Sequence, residues 1–417
     1  MIESSPWEDV FLTYDVVIVG AGIIGLSSAI EIAERNPTLR ITVLERGLIP
    51  TGASTRNAGF ACFGSLGEIH ADILGMGQEG ALSVVAKRVA GLRKLTDRCA
   101  KSEIGYEALG GHELFFEEHD GLARLPEINA LLEPLLGKDV FTRRDDLIKT
   151  FMFGPRVHAL VHIKHEATVH SGLLINALWK IAEQHGIRIL TGALVTAIDD
   201  RVTAIDDRGQ QNHALTISTI SGEHTIHAGI AVLATNGNMS QITVSATRQN
   251  PEPMQTLAMQ TLATPTLTPT AAPTFYPARG QVLLTASIEG LPFKGSFHFN
   301  DGYYYFRNLG NRILFGGGRN TDFEGERTRD MSTTEPLQKN LDELLRTVIA
   351  PGREIVVEKR WSGTMAFAAD KQPCVVQIAP NVILAFGCNG MGVALGSNIA
   401  TEVASLVGNL QYGQGKT

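Results

Sequence analysis

The chain is poor in the features that mark secreted, membrane-spanning or nucleic-acid-binding proteins. Its 417 residues carry only four cysteines, at 62, 99, 374 and 388. No two of them form a C-x-x-C pair, and scattered thiols in a chain this long point to a reducing compartment rather than a disulfide framework. Cationic charge is short: 36 Lys and Arg stand against 43 Asp and Glu, a formal net charge of −7. A nucleic-acid surface normally needs a basic field, which this balance does not supply. No apolar run reaches the roughly 20 residues of a membrane helix; Val16 to Ile30 is shorter and broken by glycines. The opening MIESSPWEDVFLTYD holds Glu3, Glu8 and Asp9 and no Lys or Arg, the reverse of a signal peptide's charged lead. The expectation is a soluble, cytoplasmic chain without a transmembrane segment, long enough for two or three domains.

What is present begins at GAGIIG, residues 20–25. Val16 to Val19 is a β-branched run suited to a strand buried on both faces. Ile24, Ala29, Ile32 and Ala33 then recur at helical spacing, Asn36-Pro37 breaks the helix, and Ile41 to Leu44 reads as a second strand closing on Glu45. In that context Gly20 allows a tight turn, Gly22 a close approach to a pyrophosphate, and Gly25 close packing of helix on strand. Ala21, Ile23 and Ile24 complete the turn. Glu45 follows Gly25 by 20 residues, where a carboxylate can accept hydrogen bonds from a ribose diol, which favours FAD or NAD over NADP. The plainer alternative is a glycine turn that only packs a helix on a strand.

After Glu45 the chain enters a loop rich in Gly, Ser, Thr and Asn, residues 51–59, which suits an extended cofactor. Here the sequence resembles the FAD-dependent oxidoreductases of the D-amino-acid oxidase type, which include glycine oxidase, sarcosine oxidase and D-amino-acid dehydrogenase. The resemblance rests on GAGIIG, the Glu45-Arg46 pair and GASTRNAG at 52–59. It is supported by ALVTAI at 193–198, VLATNG at 232–237 and GCNGMGVAL at 387–395. It implies an α/β fold: a discontinuous Rossmann-like FAD-binding domain plus an α+β substrate domain with a mainly antiparallel sheet. The expected FAD domain covers 14–65, 151–250 and 351–410, and the substrate domain 66–150 and 275–350. The Pro/Thr-rich stretch 251–274 is expected to be a linker or flap.

The resemblance also assigns residues. Glu45 would hold the adenosine ribose, with Arg46 near the adenine. Ser54, Thr55, Asn57, Ala58 and Gly59 would line the pyrophosphate and flavin. Val195 would meet the adenine, and Ala234 and Thr235 would close over the adenosine half. Val382 to Phe386 reads as a strand, Gly387, Gly390 and Gly392 as a second glycine turn, and Val393 to Val407 as a helix. A helix N-terminus is an anion site, and reduced flavin carries negative charge at its pyrimidine edge. Gly387, Asn389, Gly390, Met391, Gly392 and Val393 are assigned there; a purely structural helix start is the alternative. FAD is expected to be bound non-covalently.

The substrate is expected to be a small-molecule amine or amino acid, with oxygen or another electron acceptor. Hairpin strands with turns at 300–302 and 309–311 would cover the flavin. Alternation puts Tyr303 and Tyr305 on one face and Tyr304 and Phe306 on the other, without saying which face lines a pocket. Tyr303, Tyr305, Arg307, Met365 and Asn389 are the substrate-binding candidates, with Arg319 a further candidate for a carboxylate. The glycine oxidase subgroup places carboxylate-binding arginines after a W-x-G motif and within the glycine turn. Here Trp361-Ser362-Gly363-Thr364 leads to Met365, and Gly390 stands in the turn. A bidentate Arg is hard to replace, so an N-substituted amine or larger amino acid is favoured, as in gamma-glutamylputrescine oxidase. No general base is required if the amine arrives neutral. His158, His162, His165 and His170 have no metal-site spacing, and no metal is expected. A flavin-dependent tRNA-modifying oxidase and a non-catalytic FAD-binding subunit are the competing readings; the acidic charge weighs against the first.

Overall fold

A computed structural model describes residues 5, 7–205, 211–219, 222–245, 275–368 and 371–414. The stretch 251–274, expected as a linker or flap, lies outside the described residues. The chain divides into two compact units. One gathers Met1–Thr55, Ile175–Pro277 and Met365–Thr417, the other Arg56–Leu174 and Ala278–Thr364.

The first unit is a mixed sheet of nine strands among the described residues. The strand Thr13–Val19 is buried from Tyr14 onward, as its Val/Ile run requires of a central parallel strand. It pairs in parallel with Ile41–Glu45 on one side and Gly222–Leu233 on the other, Val16 facing Ile41 and Ile230. Arg188–Thr191 continues the parallel order beyond Ile41–Glu45, and Val382–Phe386 pairs in parallel with Gly222–Leu233. Leu194–Ile205 and Gln211–Thr219 add an antiparallel meander. The helix Ile23–Arg35 ends at Asn36, just before Pro37, which cannot continue it. It packs on the helix Gly392–Gln414. That approach needs a glycine, because a Cβ at Gly396 would lie 2.4 Å from Ile23 Cγ2.

The second unit is built on an eight-stranded, mainly antiparallel sheet. The hairpin strands are Ser296–Phe299, Tyr304–Leu309 and Arg312–Gly317. Their turns put Asn300, Asp301, Gly302 and Gly310 at positive φ. Ser296–Phe299 also pairs with Gly111–Phe115, which pairs with Ala159–Ile163. One face is an aromatic core. Phe297 stacks on its cross-strand partner Phe306 at 4.6 Å and Phe299 on Tyr304 at 4.8 Å, pairs that stabilise a sheet beyond simple burial.

The unit boundaries differ from the expected domain limits. Residues 56–65, 151–174 and 351–364 belong to the second unit. Strand pairing is the reason: Ala159–Ile163 lies inside the second sheet, Phe60–Ala61 pairs with Ala167–Thr168, and Val357–Ala368 is the edge of the second sheet.

Polar groups are buried here too. The helix Leu66–Arg98 is capped by Ser65, whose hydroxyl accepts from Glu68 N–H and donates to Glu113 Oε1 at 2.8 Å. Gly67 N–H donates to Glu113 Oε2 at 2.8 Å. Burial nevertheless pushes the Glu113 carboxyl up to about 7 from 4.5, against those two donors. The folded form therefore keeps a proton that the unfolded chain releases. The stabilisation is present below the unfolded pKa near 4.5 and is lost as pH rises through about 7. The melting temperature of the wild type should fall more steeply across that window than that of Glu113→Gln. Equal slopes would show that Glu113 does not titrate there.

Candidate functional site

In the first unit the glycine turn is sterically exacting. Gly20 has φ +107°, and a Cβ on it would sit 2.7 Å from the Ala234 carbonyl oxygen. A Cβ on Gly25 would sit 1.9 Å from the Gly20 carbonyl oxygen, closer than any real contact. Gly22 precedes the helix Ile23–Arg35, and a Cβ there would meet Ser54 Oγ at 2.8 Å. Ser54 Oγ accepts from Ile23 N–H at 3.0 Å, so the helix N-terminus already holds one oxygen. Glu45 is buried beneath the turn. Its Oε2 accepts from Ala21 N–H at 3.1 Å and its Oε1 from Gly47 N–H at 3.0 Å. The backbone of Ala193 donates to Glu45 O at 2.9 Å, which brings Val195 into the same core cluster. Ala234 donates to Val19 O, and Thr235 follows with its Oγ1 buried and without a hydrogen-bond partner. A buried hydroxyl is rarely left so; it fits a site built to receive a polar group. Gly20–Gly25, Glu45, Ser54, Ala234 and Thr235 are thus brought together. Arg46 is exposed, and Thr55 turns its hydroxyl to the Pro50 carbonyl at 2.8 Å.

The second glycine turn is also real: Gly387, Asn389 and Gly390 have φ of +86°, +50° and +86°. Asn389, expected to face substrate, has backbone partners at both ends of its amide. Its Oδ1 accepts from Ala368 N–H at 2.6 Å and its Nδ2 donates to Gly387 O at 2.8 Å. The amide ties the turn to the end of the strand Val357–Ala368. A short distance back, Ala366 N–H donates to Asn236 Oδ1 at 2.9 Å. Met365, half-buried, is therefore held in a segment anchored beside Thr235. Met391 N–H closes the turn on Cys388 O at 2.7 Å, Gly392 begins the helix, and Val393 is buried.

In the second unit Arg307 corrects a sequence expectation. It is buried, and Nη1 donates to Gly59 O and Val169 O, each at 2.9 Å, and to Ala58 O at 3.4 Å. Nε donates to Asn308 O at 3.0 Å. Burial lowers its pKa to about 10. The guanidinium is a clamp on backbone carbonyls, not a free group for a carboxylate. Asn57 locks the same loop: its Oδ1 accepts from Gly59 N–H and Ser171 Oγ, both at 2.8 Å. Trp361 of the W-x-G motif donates to Arg56 O, and Arg56 returns a bond to Ser362 O, each at 2.9 Å.

The tyrosines do not share one strand face, because the strand begins at Tyr304. Tyr303 lies in the preceding turn against Phe323, and the Arg319 guanidinium stands 5.4 Å from both rings. Tyr305 packs with Ala58, Phe60, Leu314 and Trp361, and burial pushes its phenol up to about 12. Tyr304 and Phe306 belong to the aromatic core, which settles the packed face. The four histidines scatter: His158 pairs with Glu118, His162 lies against His112, His165 is exposed, and His170 accepts from Leu173 N–H.

A protein-family model described as FAD dependent oxidoreductase matches residues 15–406. The chain belongs to this family. The oxidoreductase is 34% identical over 98 residues to the mitochondrial L-2-hydroxyglutarate dehydrogenase of Dictyostelium discoideum, a match spanning 23% of this chain and 20% of that relative. Its fold is similar to that of glycine oxidase from Geobacillus kaustophilus, at a TM-score of 0.67 and 18% identity, covering 96% and 95% of the two chains. L-proline dehydrogenase from P. horikoshii gives 0.68 at 17% identity, covering 97% and 95%. No helix among the described residues is long and apolar enough to cross a membrane.

Sequence reasoning missed the Arg307 clamp and a buried polar cluster of Cys62, Glu113, Glu166 and His298. The signal for the second was charged and polar residues interrupting apolar strands, as in SFHF and GHELF. For Arg307, a lysine presents a point charge and cannot replace a fixed fork. Arg307→Lys should leave buried carbonyls unmet and cost roughly 2 kcal/mol of stability, read from urea denaturation; an unchanged midpoint would dismiss the clamp.

Proposed function

We propose that this oxidoreductase takes two electrons from the C–N bond of a small amine or amino acid. The observation that supports it most is the family match across both glycine turns, whose backbone leaves no room for side chains at Gly20 and Gly25. The unpartnered Thr235 hydroxyl beside them fits a polar ligand. FAD, when bound, supplies the hydride acceptor, N5 of its flavin.

The chain's own residues supply the rest. In this reading the turn Gly20–Gly25 and the N-terminus of Ile23–Arg35 take the pyrophosphate through backbone N–H groups and the helix dipole. Glu45 accepts from the adenosine ribose hydroxyls. Arg46, Val195, Ala234 and Thr235 border the adenosine half. Ser54, Thr55, Asn57, Ala58 and Gly59 line the cofactor's extended middle. Gly387, Asn389, Gly390, Met391, Gly392 and Val393 set a helix N-terminus toward developing negative charge, where preorganised dipoles lower the barrier.

Substrate choice follows from what these residues lack. Met365 and Gly390 stand where the glycine oxidase subgroup uses arginines, and Arg307 is committed to carbonyls. The reading therefore favours an N-substituted amine or a larger amino acid over glycine. A second reading, oxidation of the C–O bond of a 2-hydroxy acid, draws on the similarity to a relative named L-2-hydroxyglutarate dehydrogenase.

The test is a visible spectrum of the purified protein, followed by anaerobic additions of D- and L-amino acids, N-methyl amino acids, polyamine derivatives and 2-hydroxy acids. Bleaching by an amine class supports the first reading; bleaching by hydroxy acids alone replaces it with the second. Readmitted air separates oxygen from another acceptor. Gly25→Ala should lower FAD affinity at least roughly tenfold, since its Cβ cannot be placed without moving the turn; full occupancy in that variant would remove the glycine turn from the cofactor site.

A further inference from the structure

Cys62, Glu166 and His298 lie together inside the second unit. One ligand atom from each falls within 4.8 Å of the other two, and all three residues are buried. We propose that they form a binding site for one divalent transition-metal ion of the zinc type, which staples the segment after Gly59 to the substrate-side sheet.

The Glu166 side chain is completely buried. Its Oε2 accepts from Ser296 Oγ at 2.5 Å and meets His298 Nε2 at 2.9 Å. Its Oε1 has no hydrogen-bond partner. A buried carboxylate oxygen left bare costs the full desolvation of that group, and a cation satisfies it. The local charge points the same way. The Glu166 carboxylate faces the His298 imidazole at 2.9 Å, while the Arg88 guanidinium is taken up by Glu68 at 2.8 Å and Phe63 O at 3.0 Å.

The site is also built to admit the carboxylate. A Cβ on Gly111 would stand 2.1 Å from Glu166 Oε2 and 2.8 Å from Ser296 Oγ. Gly110 N–H is fixed on Glu166 O at 3.1 Å. His298 is held in the strand Ser296–Phe299, and its ring touches Phe60 at 5.2 Å between centroids.

One sulfur, one imidazole nitrogen and one carboxylate oxygen form a donor set for zinc rather than for magnesium or calcium. Binding displaces the thiol proton of Cys62 and any proton between His298 and Glu166 to solvent, with no change of oxidation state. Three protein ligands leave a fourth position for water. The ion would join three distant stretches of the chain, which is the action of a structural clip. The site is independent of the substrate reading above.

The test uses the full-length flavoprotein as purified. It is stripped with chelator, reloaded with zinc alone, and measured for metal content, zinc-edge X-ray absorption and melting temperature. The expected result is one zinc per chain, one sulfur scatterer at about 2.3 Å with nitrogen or oxygen at about 2.0–2.1 Å, and a melting temperature that falls on stripping and recovers on reloading. Cys62→Ser should lose the zinc and Cys99→Ser should keep it. Should Cys62→Ser fail to fold, the absorption spectrum of the wild type decides alone. Zinc below a tenth of an equivalent after loading, a shell without sulfur, or undiminished zinc in folded Cys62→Ser would each overturn the site.

Discussion

The first unit depends on one close approach: the backbone of Gly20 wedged against the Ala234 carbonyl and overlaid by Gly25. That contact sets the strand Thr13–Val19, the end of Gly222–Leu233 and the start of Ile23–Arg35 at distances no side chain would permit. The buried Glu45 joins the same turn, its Oε2 accepting from Ala21 N–H at 3.1 Å. The close helix pair continues the theme, with Gly396 admitting Ile23. Backbone proximity, more than side-chain volume, organises this half of the chain.

The second unit is organised the opposite way, by large side chains. Phe297, Phe299, Tyr304, Phe306 and Phe315 fill one face of its sheet. His112 joins them, stacked on Phe297 at 5.0 Å. Burial first, with His162 and Arg144 nearby, lowers the His112 pKa to about 3. The ring is therefore neutral under ordinary conditions and behaves as another aromatic.

Much of this was legible in the residues. The strand, turn, helix and strand of residues 13–45 could be read because hydrophobic period, glycine placement and the Asn36-Pro37 stop all agree. The hairpin turns at 300–302 and 309–311 were visible for the same reason. Domain limits were less so: Ala159–Ile163 and Phe60–Ala61 look like any apolar segment, and only long-range pairing assigns them to the second unit. The backbone partners of Arg307 and Asn389 were not legible, because an arginine or amide near a motif looks available. Their backbone partners lie on chain segments more than 100 residues away for Arg307, and for Asn389 include an N–H at the end of the strand Val357–Ala368.

The bond from Ile23 N–H to the Ser54 hydroxyl has a consequence for the glycine turn. A helix terminus that already holds an oxygen does not wait open, and its donor is not left dry. An anion taken up at this terminus would compete with the Ser54 hydroxyl for the Ile23 N–H. Ser54 thereby joins the segment after Glu45 to the start of the helix Ile23–Arg35, so one bond fixes both.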